Sequence, residues 1–418
     1  MTGFRRDAQG SANLGGVRLS ELRRSSGQGT PAYFYDLDAM AENARELVAA
    51  FSGRKGLVAY AVKANTAGTV VRTLAAAGTG ADVVSGAELE VALGAGIEPA
   101  RIVMSGVAKA DWEIDLALGH GIRALQLESI EEIRRVAARA RASGKVARVS
   151  LRINPGVEID SHSHIATGHD EAKFGIHRND LGAAWSAVDG EGGALTPVGV
   201  SVHVGSMMSE PSPYLAAART VCEIARARRA AGKRLEYVDF GGGFGIDYGG
   251  KPSERPSAFV RAAFALVDEL ELADHELVVE PGRSLVAPYG VLVASVLQSK
   301  QSGERRWVMI DAGMNDLIRP ALYGAKHRIE PLERAPSAPS WRVVGPVCES
   351  SDDFGEHPLG EAVPDAVVIR DAGAYGFTMA SEYNGRPLPA EVFVSGGAVT
   401  KVSPSPGRAA WVKRRLEA

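Results

Sequence analysis

The sequence predicts an α/β protein: a (β/α)8 TIM-like barrel followed by a C-terminal β-sandwich or β-barrel domain. Two observations predict it. Eight short apolar runs alternate with Ala-, Leu- and Glu-rich stretches of helical period between Leu57 and Arg283, which is the pattern of repeated βα units. Beyond Arg283 the chain changes to short β-rich runs between Gly/Pro turns, with no long helical pattern, as in an all-β domain.

The first barrel run, Leu57–Val62, is β-branched and aromatic and ends at Lys63. Ala81–Val84 ends at Ser85, Arg101–Met104 at Ser105-Gly106, Ile122–Leu127 at Glu128, and Val146–Ile153 at Asn154-Pro155-Gly156. Pro197–Val202 runs into His203-Val204-Gly205-Ser206, Tyr237–Phe240 into Gly241-Gly242-Gly243, and Leu277–Val279 into Glu280-Pro281-Gly282-Arg283. The clearest helices between them are Ala87–Ala95, Glu131–Ser143 and Ala216–Ala231. In such a barrel the active site lies at the carboxyl ends of the strands, where Lys63, His203, the glycine run and Glu280 all fall. A lysine there sits at the rim of a low-dielectric core, which disfavours its ammonium and favours the neutral amine that a Schiff base requires.

The later strands are Val286–Gln298, Trp307–Ala312, Trp341–Val347, Ala366–Ala372 and Val392–Ser395, and Pro31–Tyr35 is a short strand that pairs with this domain. The expected division is a flexible segment over 1–29, a barrel over 36–285, and a β domain of 30–35 with 286–418.

A chain of 418 residues is long for one core and predicts two domains. A net charge of −3 without a Lys/Arg stripe excludes a basic field for nucleic acid. No apolar run reaches the length of a membrane span. Met1–Gly29 is polar, Gly/Ser/Arg-rich and without a signal-type apolar stretch, so partial disorder and a cytoplasmic location are expected. The two cysteines, Cys222 and Cys348, give no disulfide framework.

The glycine run Gly241–Gly243 is seventh in the series and no second mononucleotide half follows it, so a single phosphate suits it better than a dinucleotide. His203 suits three roles: metal ligand, general base, or a flat surface against a cofactor ring. His162, His164 and His169 cluster in sequence, but no His-Glu-x-x-His or paired-cysteine spacing accompanies them, so no metal is expected. Glu280 suits a protonated pyridine nitrogen. A Schiff-base lysine, a phosphate loop, a ring-facing histidine and a carboxylate for the pyridine nitrogen together describe a pyridoxal 5′-phosphate site.

With those residues in view, the chain resembles the fold-type III pyridoxal phosphate decarboxylases, which share an alanine racemase-like architecture. The motifs are Tyr60-Ala61-Val62-Lys63-Ala64-Asn65, His203-Val204-Gly205-Ser206, Gly241–Gly245, Glu280-Pro281-Gly282-Arg283, Cys348-Glu349-Ser350-Ser351-Asp352 and Asp371–Gly376. His164–Gly168 leading to Lys173–Ile176, and Met314–Tyr323, favour the diaminopimelate branch over the ornithine and arginine branches.

The resemblance implies that Lys63 carries the cofactor and His203 packs on its ring. Asp82, Ser206, Gly243, Gly282, Arg283 and Tyr375 are further cofactor contacts, and Glu280 meets the pyridine nitrogen. Arg283, Arg319 and Tyr323 are the implied partners of the distal substrate carboxylate. Glu349 takes the distal ammonium, Tyr375 contacts substrate as well, and Cys348 is the proton donor. It also implies a homodimer in which Cys348 and Glu349 serve the partner's site. The expected reaction is removal of CO2 from meso-2,6-diaminopimelate to give L-lysine.

Two departures stand out: Met207-Met208 where glutamine is usual, and Ala380–Asn384 where paired serines are usual. They keep open a second substrate class, another diamino acid or a carrier-bound amino acid. A non-catalytic carrier of the cofactor is a third reading. The C-terminal domain with Cys348, Glu349 and Tyr375 speaks against it.

Overall fold

A computed structural model of the chain describes residues 3–156, 173–250 and 252–418; His162, His164, His169 and the stretch 164–168 lie outside the described residues. The chain divides into two compact units, one of Ala44–Ile246 with Pro252–Ser284, the other of Met1–Asn43, Asp247–Lys251 and Leu285–Ala418.

The first unit is the closed barrel. Its strands are β1 (Gly56–Ala61), β2 (Gly80–Val83), β3 (Ile102–Met104), β4 (Ala124–Leu127), β5 (Ala147–Asn154), β6 (Leu195–Val202), β7 (Tyr237–Asp239) and β8 (Glu276–Val279). Each pairs in parallel with the next, and β8 returns to β1 through Val279 and Val58, closing the ring. Leu57, Ala59, Val103, Ala124, Val198, Tyr237 and Val278 pack as one buried cluster. That cluster fills the barrel below its carboxyl rim and supports what the rim carries.

The helices form where the sequence places them: Gly86–Gly94, Ile130–Ala142 and Pro211–Ala230. Ser85 and Ser129 cap the first two, accepting the N–H groups of Glu88 and Glu132 at 3.2 and 3.1 Å. Ser85 is therefore a helix cap, although it follows an apolar run as the chemical residues do.

One device of the wall bears on the site. Lys109 is 2% exposed, and its ammonium donates to Gly106 O at 2.8 Å, to Gln126 O, and to Glu132 Oε1 at 3.0 Å. All three of its protons are used. Replacing Lys109 with Met leaves Glu132 buried without its counter-charge, which is expected to cost about 3–5 kcal/mol in urea unfolding. The double variant Lys109→Met/Glu132→Leu should recover most of that loss, and no recovery would show that the pair is not what matters.

The second unit is built on a mixed sheet in which Gly290–Ser302 pairs with Arg305–Ile310, Ala366–Ile369 and Ala32–Asp36, and Ala32–Asp36 also pairs with Ala390–Ser395. Three sequence expectations change here. The strand expected from Val286 begins at Gly290, because Arg283–Val286 and Ala287–Tyr289 are helical turns. The expected flexible segment over 1–29 contains strands Phe4–Arg6, Ala12–Leu14 and Val17–Arg18 and the helix Leu19–Ser26. Its Leu14, Leu19 and Leu22 are buried with Phe34, Val291, Val293 and Val392. Composition hid this, because a few correctly spaced leucines suffice to cover a sheet face. Finally, a helix, Gly407–Leu416, occurs in a region expected to lack one. Among the described residues no helix is long and apolar enough to cross a membrane.

Candidate active site

Strand register decides which barrel residues share a face. Ala61 is level with Asp82, Ser201 with both Arg152 and Asp239, and Asp239 with Val278. Side chains alternate along a strand, so Asp82, Gln126, Arg152 and Asp239 point the same way as the buried cluster, toward the carboxyl ends of their strands. Lys63, His203 and Glu280 follow their strands directly above this layer.

Lys63 lies in the single turn Val62–Ala64 after β1. Its Nζ is 2.9 Å from Asp82 Oδ2, with the lysine side chain 37% exposed and the aspartate fully buried. Ser105 Oγ donates to the other oxygen, Oδ1. Burial alone would raise the Asp82 carboxyl, but the charge of Lys63 and the Ser105 hydrogen bond outweigh it and hold it below the usual range. Sequence reasoning expected a desolvated neutral amine at Lys63. The structure instead pairs the side chain with a buried carboxylate.

His203 follows β6. Burial, followed by the positive charges of Arg152 and Lys63, pulls its imidazole down to about 3, so it is neutral. Its Nδ1 accepts the Gly242 N–H at 3.2 Å, which leaves the proton on Nε2. Arg152 is itself held by Glu128 at 3.0 Å and lies over the Phe174 ring at 4.9 Å. Glu128 Oε2 also accepts the Gly175 N–H at 2.9 Å. Lys173–Ile176 therefore belongs to the barrel rim, with Ile176 paired to Ile153 of β5.

Glu280 is 6% exposed, and its Oε1 accepts from Gln126 Nε2 at 2.9 Å. The same nitrogen donates to Asp239 Oδ2 at 2.9 Å. Burial, then the neighbouring charges of Asp239 and Asp82, push Glu280 well above the usual carboxyl range, and burial pushes Asp239 up to about 6. Two buried carboxylates on one amide retain a proton until a cation comes beside them.

The glycine run is built for close approach. Gly243 has φ +90°, and a Cβ there would lie 2.3 Å from Gly205 O; at Gly242 it would lie 1.9 Å from Glu280 O. Met208 donates its N–H to Gly243 O at 3.0 Å and accepts the Gly245 N–H at 2.8 Å, so the departure Met207-Met208 braces this loop through its backbone. Ser206 Oγ accepts from Arg283 Nη2 at 3.2 Å. Gly282 packs against β1 and its turn, where a Cβ would meet Ala61 and Ala64 at 3.1 Å.

The remaining site candidates lie in the second unit. Arg319 and Tyr323 open and close the short helix Arg319–Tyr323. Arg319 is 5% exposed, donates to His327 Nε2 at 2.7 Å, and lies over the Tyr248 ring at 4.8 Å. His327 Nδ1 donates to Arg370 O at 2.9 Å, which fixes the tautomer that accepts from Arg319. Tyr375 has φ +55°, a left-handed conformation that a bulky residue rarely adopts. Cys348 and Glu349 are exposed in a loop braced by the buried Asp352, whose two oxygens accept the Met314 and Val347 N–H groups at 2.6 and 2.7 Å.

Sequence reasoning missed Gln126, Arg152 and Asp239 as members of the site. The signal was present: a polar residue at a period-2 position inside an otherwise apolar strand is buried on one face and must be satisfied there. Among the described residues, no three His, Cys, Asp or Glu side chains are grouped to hold a metal.

The donor set fits pyridoxal phosphate: an amine beside a buried carboxylate, glycines admitting an anion beside a Ser/Arg pair, and a buried carboxylate, Glu280, held well above the ordinary carboxyl range. Comparison with known proteins agrees. Residues 37–287 match the model of the pyridoxal-dependent decarboxylase, pyridoxal binding domain. Diaminopimelate decarboxylase of Zymomonas mobilis is 43% identical over 376 residues, 88% of each chain. The chain belongs to the diaminopimelate decarboxylase family. Among solved structures, the family member from Helicobacter pylori in complex with L-lysine superposes with a TM-score of 0.87 at 37% identity, covering 95% of this chain and 99% of the other. The family member from M. jannaschii in complex with L-lysine gives 0.91 at 32% identity, covering 99% and 97%. The chain is a fold-type III, pyridoxal-phosphate-dependent amino-acid decarboxylase.

Proposed function

We propose that the chain decarboxylates meso-2,6-diaminopimelate to L-lysine, the last step of a route to that amino acid. The observation that carries the substrate is the 43% identity to a diaminopimelate decarboxylase over 88% of a chain that carries both Arg319 and Glu349. A substrate with a carboxylate and an ammonium at its distal end needs a guanidinium and a carboxylate to hold them.

Pyridoxal phosphate, when bound, supplies an electron-accepting ring joined to the reacting carbon. Lys63 supplies the amine that tethers it, with Asp82 orienting that amine. Ser206, whose hydroxyl Arg283 holds, and the backbone at Gly243 and Gly282 take the phosphate. Glu280 keeps a proton on the pyridine nitrogen, and the neutral imidazole of His203 packs flat while its Nδ1 anchors Gly242. Arg319, Tyr323 and Arg283 bind the distal carboxylate, Glu349 binds the distal ammonium, and Tyr375 contacts cofactor and substrate. The Cys348 thiol gives its proton to the carbon that loses CO2. Glu280→Gln preserves the shape but not the charge, and kcat is expected to fall by roughly 100-fold. An unchanged kcat would remove Glu280 from this role.

The working form is proposed to be a cytoplasmic homodimer whose two chains complete each other's sites. Cys348 and Glu349 are exposed on their own chain, whereas a proton donor and a charge-binding carboxylate act best when enclosed. Both cysteines are free thiols, as suits a reducing compartment. CO2 release by the loaded enzyme should be measured on meso-diaminopimelate, ornithine, lysine and arginine. Turnover is expected on the first alone. An equal or larger kcat/KM on any other would replace this substrate.

A further inference from the structure

The turn Glu382–Gly385 belongs to one of the two stretches in which the sequence departs from its family, and nothing above gives it a task. It reaches across the chain to the loop that carries Cys348 and Glu349. Tyr383 donates its phenol proton to Glu349 Oε1. Asn384 Oδ1 accepts the Cys348 N–H at 2.9 Å. Arg386 Nη2 donates to Pro346 O at 3.1 Å. The loop thus makes three bonds over the four residues Pro346–Glu349 with a segment more than thirty residues later in sequence.

The turn is itself held. Asn384 has φ +56° and Gly385 φ +70°, so consecutive left-handed residues aim the Asn384 amide back at the loop. Glu382 is paired with Arg414 of the helix Gly407–Leu416. The Trp411 ring of that helix covers Gly385, where an added Cβ would meet it at 3.1 Å. The chain of contacts runs from the C-terminal helix through the turn to the two adjacent residues. The hydrogen bond to Glu349, and after it the Glu349 charge, raises the Tyr383 phenol above its ordinary value.

We propose that Tyr383 and Asn384 are positioning residues, Tyr383 fixing the Glu349 carboxylate and Asn384 fixing the backbone of Cys348, with the helix Gly407–Leu416 as their anchor. This rests on the substrate-binding and proton-donating roles given to Glu349 and Cys348 above. With one oxygen of Glu349 occupied by the phenol, the other is presented to an ammonium in a single orientation. With the Cys348 N–H fixed, the thiol is confined to the side-chain rotamers of one backbone position.

The two tethers should separate in the kinetics. Tyr383→Phe removes one hydrogen bond to Glu349 and is expected to raise KM for diaminopimelate roughly three- to tenfold while leaving kcat nearly unchanged. In a Glu349→Gln background the same change should add nothing, since a residue acting through another is silent once that other is gone. An unchanged KM in Tyr383→Phe, or an equal further rise in the double variant, would overturn the role of Tyr383. Asn384→Gly keeps the left-handed turn but loses the acceptor, and should lower kcat roughly three- to tenfold. Asn384→Asp keeps both and should retain the wild-type rate. The reverse order would overturn the role of Asn384.

Failure of the underlying reading looks different. If Glu349→Gln and Cys348→Ala leave KM and kcat intact, the assigned roles fall, and the tether is then read without catalysis. Cys222 is buried and Cys348 exposed, so alkylation by iodoacetamide reports on Cys348. Its rate should rise in Asn384→Gly over wild type and Asn384→Asp. Equal rates in all three would overturn the tether itself.

Discussion

Lys63→Ala is expected to lower turnover by roughly three orders of magnitude or more and to abolish the visible absorbance of the covalently held cofactor. The loss is large because the side chain provides a covalent bond, not one contact among many. Ser206, Arg283, Gly243 and His203 remain in the variant, so pyridoxal phosphate should still bind, weakly and without the tether. Asp82 would then be a buried carboxylate deprived of its partner at 2.9 Å, which predicts some loss of stability as well. Absorbance and turnover should disappear together. A variant that keeps the absorbance and a near wild-type rate would show that another amine holds the cofactor.

The second large effect is a recovery. Lys63→Ala and Cys348→Ala should each be nearly inactive as homodimers. If Cys348 and Glu349 serve the partner's site, a heterodimer of the two variants has one site with both lesions and one with neither. A random 1:1 assembly then regains about a quarter of wild-type sites. The chains should be co-expressed with different tags, so that heterodimers are isolated and counted before assay. Activity that stays at the level of the parent variants in isolated heterodimers would place Cys348 in its own chain's site.

The barrel was legible in the sequence because its signal is repeated and local. A parallel strand buried on both faces is a short apolar run, and the residue that follows it stands at the rim. Lys63, His203 and Glu280 could be found in this way. So could the glycine run, since the backbone contacts at Gly242 and Gly243 admit no Cβ. Ser85 satisfies the same rule and proves to be a helix cap, so position after a strand identifies candidates without assigning chemistry.

What the sequence by itself determined was therefore the strand–helix order, the residues at the strand ends, and, through motif resemblance, the cofactor. What only the tertiary structure decided was how buried charges are shared among strands that are distant in sequence. Gln126 of β4 bridges Asp239 of β7 and Glu280 after β8. Arg152 of β5 helps keep His203 neutral after β6, and Asp82 of β2 holds Lys63 after β1. The turn at Tyr383 and Asn384 meets the loop at Cys348 and Glu349 in the same way. Burial and Coulomb interaction depend on distance in space, and ring closure or a long chain excursion sets that distance without leaving a periodic mark in the sequence.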